Sequence, residues 1–251
     1  MIVQGDKDIQ GLQRIGEICG EALKHMFEHV EVGMTTKELD RIGEAFLKQH
    51  NATSAPITAY KYPGWTCISL NEQAAHGIPG KRVINEGDIL NVDVSAVLEG
   101  YWGDTGASMI VGEGKKRHHD LLRDTRAALY AGIGQANADA PINAIGKAVE
   151  KLAKKGKYRI IKQLSGHGVG RHIHEAPNIP NYFVRQAKQP LVDGLVFTIE
   201  PFFNLGRGII VEDKDGWTLR TPDRSLSAQF EHTIIVNGDD PIIITKVEGG
   251  H

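Results

Sequence analysis

Cysteine is scarce in this chain: its 251 residues include two, Cys19 and Cys67, and no Cys-x-x-Cys. That excludes a disulfide scaffold, and both thiols are expected to be reduced and half-buried. An excess of charge is also missing. With 29 basic and 31 acidic residues the net charge is −2, which gives no reason to expect a nucleic-acid-binding or membrane-attracted surface. No apolar run approaches the ~18 residues of a membrane span. The start, Met1-Ile2-Val3-Gln4-Gly5-Asp6-Lys7, lacks the apolar stretch of a signal peptide, so the expected address is the cytoplasm. Three familiar signatures are absent: Gly-x-Ser-x-Gly, His-Glu-x-x-His and a Gly-Lys-Ser/Thr phosphate loop. The run Gly166-His167-Gly168-Val169-Gly170 has the wrong spacing for a dinucleotide fingerprint, and His172, His174 and Pro177 follow it instead of a helix.

What is present is an ordinary globular balance, 41% hydrophobic and 24% charged, in a chain long enough to bury a large core. Leu12, Ile15, Cys19, Ala22, Met26 and Val30 recur every three or four positions and predict an amphipathic helix over 8–30, broken by Gly33. Thr35-Thr36-Lys37-Glu38 has the form of a capping box, and a second helix follows with Leu39, Ile42 and Phe46 on one face. Residues 88–111 read as a hairpin. Lys115-Lys116-Arg117-His118-His119 reads as a solvated helix start, with the helix itself over about 120–135. Pro141 stands where a first-turn proline belongs, ahead of Ile142, Ile145, Val149 and Leu152. Further strands are expected at 195–199, 208–211, 228–236 and 241–245. Each half thus reads helix, helix, strands, and Leu39-x-x-Ile42-Gly43-x-Ala45 is echoed as Ile142-x-x-Ile145-Gly146-x-Ala148. No Pro/Gly/Ser-rich linker divides them. The expectation is one α+β domain over 1–251, built from halves of about 1–115 and 116–251 around a substantially antiparallel sheet.

The hairpin carries the sharpest local argument. A turn centred between Leu98 and Glu99 puts Asp93 directly across from Asp104, with Cβ atoms roughly 4.5–5.5 Å apart. Both strands look buried, from Ile89, Val92, Val94 and Ala96 to Ala107, Met109 and Ile110. Two like charges that close repel by roughly 3 kcal/mol even at an effective dielectric of ~20. Either a proton is shared or a cation sits between them. The second half favours the cation. His167 lies in the glycine-rich run, Glu200 ends the apolar segment Val196-Phe197-Thr198-Ile199, and Glu231 lies in Ala228-Gln229-Phe230-Glu231-His232-Thr233. Any one of these alone would read as a salt-bridged or networked residue. Together, four carboxylates and an imidazole suit a pair of divalent ions such as Mn, Fe, Co or Zn, which can activate a water near neutral pH.

Several segments match a known family: Asn71-Glu72-x-x-x-His76-Gly77-Ile78-Pro79, Asn91-Val92-Asp93-Val94, Gly103-Asp104-Thr105, Gly166-His167-Gly168-Val169-Gly170, His174-Glu175-x-Pro177, Phe197-Thr198-Ile199-Glu200-Pro201 and Ser227-Ala228-Gln229-Phe230-Glu231-His232-Thr233. Over nearly its whole length the chain resembles the type I methionine aminopeptidases. The resemblance implies the pita-bread fold, two halves related by a pseudo-two-fold axis with a curved, mainly antiparallel sheet covered by helices. It implies two divalent ions held by Asp93, Asp104, His167, Glu200 and Glu231, with Asp104 and Glu231 bridging. It makes Glu200 the proton-handling residue and sets His76 near the substrate's N-terminal part and His174 on the scissile carbonyl. The implied reaction is removal of N-terminal methionine from nascent polypeptides when the second residue is small, by a hydroxide bridging the ions. The implied enzyme is a cytoplasmic monomer that acts on peptide or nascent-chain N-termini, with a ribosome contact among its expected partners and no need of nucleic acid or membrane.

In the methionine pocket, Tyr62 and Trp217 match the family, while Pro56, Ala59 and Ile173 stand where it usually has cysteine, tyrosine and phenylalanine. A one-residue shift of the loop would bring Tyr60 into the place of the tyrosine missing at Ala59. Two alternatives remain. A proline-specific dipeptidase or other relative with altered first-residue preference is disfavoured by length, since such relatives resemble this fold plus an N-terminal domain. A non-catalytic peptide-binding relative would be expected to have lost ligands, and here all five are present.

Overall fold

The computed structural model describes residues 1–251. Helix α1 (Asp6–Glu28) forms where the apolar spacing placed one, displaced by two residues at each end, and buries Leu12, Ile15, Cys19, Ala22 and Met26 completely. Helix α2 (Thr36–Gln49) starts at the capping box: Glu38 N donates to Thr35 Oγ1 at 3.3 Å and Thr35 N donates to the Glu38 carboxylate at 2.7 Å. Helix α3 (Ala55–Tyr60) occupies a stretch that reads as loop, because six residues are too few to show a helical period. Ser54 fixes its start by accepting from Ile57 N at 3.4 Å, and Lys61 ends it in the left-handed conformation. Helix α4 (Lys116–Ile133) begins inside the basic run. Helix α5 (Asn143–Gly156) begins two residues after Pro141, not at it. Pro141 forms a bridge to Pro190, and Ile142 N donates to Gln189 O at 3.0 Å, so the chain is still held against a neighbouring segment there.

Nine strands form the main sheet, and every pairing in it is antiparallel. Its path runs Thr53–Ser54, Ile89–Leu98, Tyr101–Ile110, Glu231–Ile235, Val196–Ile199, Ser165–Gly168, Glu175–Pro180. Cys67–Leu70 also pairs with Ile89–Leu98, and Ile242–Ile243 with Glu231–Ile235. This is the mixed helix-and-sheet, pita-bread arrangement. The run expected as one strand at 228–236 is broken at Phe230. Ser227–Gln229 pairs with Phe202–Asn204 in a separate small sheet, whereas Glu231–Ile235 enters the main one. The strand expected at 208–211 is confined to Val211–Glu212, because Gly208 at φ 69° interrupts the extended chain. Both cysteines are free and buried rather than half-buried: Cys19, on the inner face of α1, meets the Gly103 carbonyl, and Cys67 is on a strand of the main sheet. No helix is long and apolar enough to cross a membrane.

The hairpin corrects the sequence reading in register. Glu99 and Gly100 form its loop, at φ 52° and 80°. A two-residue loop with both positions at positive φ matches the right-handed twist of the strands, and it moves the turn centre one residue along. Asp93 therefore faces Gly106, and Asp104 faces Ser95. The two acids still share a face, because paired positions and those two residues away point the same way. They stand a diagonal step apart, about 7 Å between backbones, instead of directly opposed.

Candidate metal centre

Five adjacent strands deliver the acids and the imidazole. Gly106 pairs with Asp93 on one side and with Glu231 on the other, so the two acids flank a position with no side chain. A Cβ there would come within 2.6 Å of the Gln229 amide. His232 pairs with Ile199, and the same register continued by one residue sets Glu200 beside Glu231. His167 follows on Ser165–Gly168, the next strand. The glycines around it are explained by close strand approach. A Cβ on Gly166 would lie 2.2 Å from Thr198 O, and one on Gly168 would lie 2.2 Å from Ala176 O, far inside contact distance. The glycine-rich run is a strand pressed between two others, not a flexible or phosphate-binding loop.

Asp93, Asp104, His167, Glu200 and Glu231 all line one cavity of about 500 Å³. Ligand atoms of Asp104, His167 and Glu231 lie within 4.8 Å of one another. His167 Nε2 is 3.4 Å from Glu200 Oε1 and 3.6 Å from Asp104 Oδ2. Its Nδ1 lies 3.1 Å from Gly168 O; an Nδ1–H donating there leaves Nε2 as a bare lone pair facing the carboxyls. Burial, helped by the nearby His174, lowers the His167 pKa to about 3, so the ring is neutral. Burial likewise raises Asp93, Asp104, Glu200 and Glu231 above the ordinary carboxylate range. Mutual repulsion adds to the rise for Asp104, Glu200 and Glu231. Asp104 Oδ1 and Glu231 Oε1 are buried with no hydrogen-bond partner. Such orphaned oxygens are costly. Unlike protons, which would answer the charge but not supply a partner to every oxygen, divalent cations answer both. The donor set, carboxylate oxygens plus one imidazole nitrogen, fits hard or borderline divalent ions.

Three supporting residues were not singled out from the sequence. Gln229 Nε2 donates to Glu231 Oε2 at 2.8 Å, and Asn91 Nδ2 fixes that amide by donating to Gln229 Oε1 at 2.7 Å. Thr198 Oγ1 donates to Glu200 Oε1 at 3.2 Å and accepts from His167 N at 3.1 Å. Each sits two residues before an acid: Asn91 before Asp93, Thr198 before Glu200, Gln229 before Glu231. A polar residue at that spacing on a strand shares the acid's face, and this was the available signal.

Above the acids the cavity is lined by Pro56, Tyr62, Cys67, His76, Ile173 and Trp217, with Tyr60 and His174 exposed at its rim. Tyr62 and Trp217 meet edge to face at 5.2 Å between ring centroids. Tyr62 Oη donates to Gly77 O at 2.7 Å, anchoring the loop that carries His76. His76 is itself held at φ 55°, a conformation that non-glycine residues keep only where the surroundings impose it. Its ring is neutral, because burial lowers its pKa. Cys67 pairs with Asp93, which turns its thiol to the same face. The loop presenting Ile173 and His174 is tied by Glu175, whose Oε1 accepts from Arg171 N at 2.6 Å and His172 N at 2.7 Å. Ala59 is exposed and does not line the cavity; the next residue, Tyr60, does.

A family model described as metallopeptidase family M24 matches residues 10–238. Methionine aminopeptidase 2 of Bacillus subtilis (strain 168) is 45% identical over 249 residues, covering 98% of this chain and 100% of that protein. The crystal structure of methionine aminopeptidase from Rickettsia prowazekii matches with a TM-score of 0.94 at 37% identity, over 98% of this chain and 100% of that one. Prolidase from Pyrococcus furiosus shares the fold at a TM-score of 0.78 and 21% identity, with this chain spanning 66% of its length.

Proposed function

The chain belongs to metallopeptidase family M24 and is an enzyme that removes N-terminal methionine, and we propose that it does so where the second residue is small and that Asp93, Asp104, His167, Glu200 and Glu231 hold two divalent ions at its centre. The observation that carries this reading is the convergence of three buried carboxyls, the half-buried Asp93 and a neutral imidazole, from separate strands, in one cavity where Asp104 Oδ1 and Glu231 Oε1 have no other partner. Ions bound there would supply Lewis acidity toward water and toward the scissile carbonyl. Asp104 and Glu231, the two acids with orphaned oxygens, would contribute those oxygens to holding the ions.

The remaining steps fall to the chain's own side chains. Glu200 is positioned as the proton acceptor: it lies beside His167, and the Thr198 hydroxyl holds its Oε1. It takes the proton of the attacking water and returns it to the leaving amine. His174, on the rim, donates an N–H to the carbonyl oxygen as negative charge develops there, a contribution largest in the transition state. His76 stands neutral against the substrate's N-terminal part. Pro56, Tyr62, Cys67, Ile173 and Trp217 surround the first side chain, with Tyr60 in the place that Ala59 does not fill. Burying a methionine side chain is worth about 1.5–3 kcal/mol, and thioether contacts with Tyr62 and Trp217 add about 0.3–1.5 kcal/mol. The reading extends to nascent chains met in the cytoplasm, at the ribosome, by a monomer.

Incubation of the metal-loaded protein with Met-Gly and Met-Leu peptides tests it. Methionine release from Met-Gly and not from Met-Leu is expected. No release from Met-Gly under Mn, Fe, Co or Zn would end the reading, and preferential cleavage of Xaa-Pro dipeptides would redirect it to a dipeptidase.

A further inference from the structure

Tyr60 is the last residue of α3 and is 46% exposed. Its Oη lies 2.6 Å from Nδ1 of His174, 114 residues along the chain, with the ring centroids 5.6 Å apart. No other hydrogen bond holds the His174 ring. On its inner side that ring packs against the His167 ring at 4.3 Å between centroids. A neutral imidazole carries one N–H, and the partner of one nitrogen decides which nitrogen keeps it. A phenol is both donor and acceptor. If it donates to Nδ1, the proton stays on Nε2, at the far side of the ring. If it accepts from Nδ1, Nε2 is left bare and has nothing to donate to a carbonyl oxygen.

We propose that Tyr60 is a positioning residue whose phenol donates to Nδ1 of His174, fixing the ring in its Nε2–H form with that N–H turned into the cavity. The proposal rests on the carbonyl-binding role given to His174 above. It assigns a purpose to a tyrosine that sits one position beyond the expected one. Tyr60 both walls the cavity and sets the orientation and tautomer of its neighbour, and the short, turn-ended α3 delivers it there.

Tyr60→Phe keeps the ring and removes the hydroxyl. In the metal-loaded enzyme acting on a Met-Gly peptide, kcat should fall about three- to tenfold, the worth of one ordinary hydrogen bond, with KM changed less than twofold. In a His174→Ala background the same substitution should have no further effect. Imidazole ¹⁵N spectra of the zinc-loaded full chain, with His174 assigned by its absence from His174→Ala, should show protonated Nε2 in the parent protein and a mixed tautomer in Tyr60→Phe. An unchanged kcat in Tyr60→Phe alongside a large loss in His174→Ala overturns the proposal and leaves the His174 role standing. A full kcat in His174→Ala removes that role and the proposal with it. Equal loss from Tyr60→Phe in both backgrounds, or unaltered ¹⁵N shifts, assigns Tyr60 to packing alone and also overturns it.

Discussion

Stripping the ions from the centre and then raising the pH should destabilise the protein steeply. Burial lifts the Asp93 carboxyl from 3.8 to about 7, and raises Asp104, Glu200 and Glu231 in the same direction. In the metal-free chain the native state therefore holds protons that the unfolded chain has released. Wherever the native state binds more protons, stability falls as pH rises, so the contribution is intact below about pH 4 and lost on the way through pH 7. For Asp93 alone the rise corresponds to about 4 kcal/mol as an upper figure, a large share of a total of about 5–15 kcal/mol. At roughly 2–4 °C per kcal/mol for a chain of this size, that is about 8–16 °C in Tm. The four acids titrate as a coupled set, so the loss is spread over the window instead of forming one step. Saturating divalent ion should reverse the slope, because the ligands bind in their deprotonated forms and the ion binds only the folded site. Differential scanning calorimetry at pH 7, 7.5, 8 and 8.5, above the range in which the buried neutral histidines such as His76 and His167 give the opposite slope, with chelator and with Mn or Zn, reads both slopes. A metal-free Tm that stays level or climbs over that range would refute the reasoning, as would identical curves with and without ion.

Asp93→Asn should lower kcat on a Met-Gly peptide at least about a hundredfold, since losing even an outer partner of a metal ligand costs about 10–100-fold; unchanged turnover would exclude Asp93 from the centre. Gly166→Ala inserts a Cβ 2.2 Å from a backbone carbonyl, and should cost about 1–3 kcal/mol and weaken metal binding through His167; a parent-like Tm and affinity would contradict the strand-approach argument. Thr35→Ala opens the capping box and should cost about 1 kcal/mol with kcat unaltered, as thermal melts and the peptide assay would show together. A large loss of kcat there would mean that α2 is coupled to the site in a way the structure does not suggest.

Local chemistry made some elements legible in the sequence. The apolar spacing of α1 and the capping box of α2 act within a few residues, and both appear in the structure within two residues of expectation. The hairpin was recognisable, but its register depended on which residues take positive φ. Gly100 marks the turn, whereas nothing about Glu99 announces φ 52°. Helix α3 is too short to have a period, and Pro141 is held by a bridge to Pro190, which is a tertiary fact. The break at Phe230 divides one apolar run between two sheets, and only the pairing partners reveal it. At the site, the acids and His167 were readable as chemistry out of place in apolar strands. Their helpers Asn91, Thr198 and Gln229 look unremarkable until the two-residue spacing is tied to a face. Tyr60 could be placed only once the loop conformation fixed which of two neighbours points inward.

The claim on which the rest depends is that divalent ions hold the acids together. Equilibrium dialysis of the chelated chain against Mn or Zn at neutral pH, with metal content read by mass spectrometry, tests it most directly when the folded Asp104→Asn variant is run beside it. Two ions per parent chain, and a clear deficit in the variant, is the result expected. No bound ion, or the same content in both proteins, would contradict it.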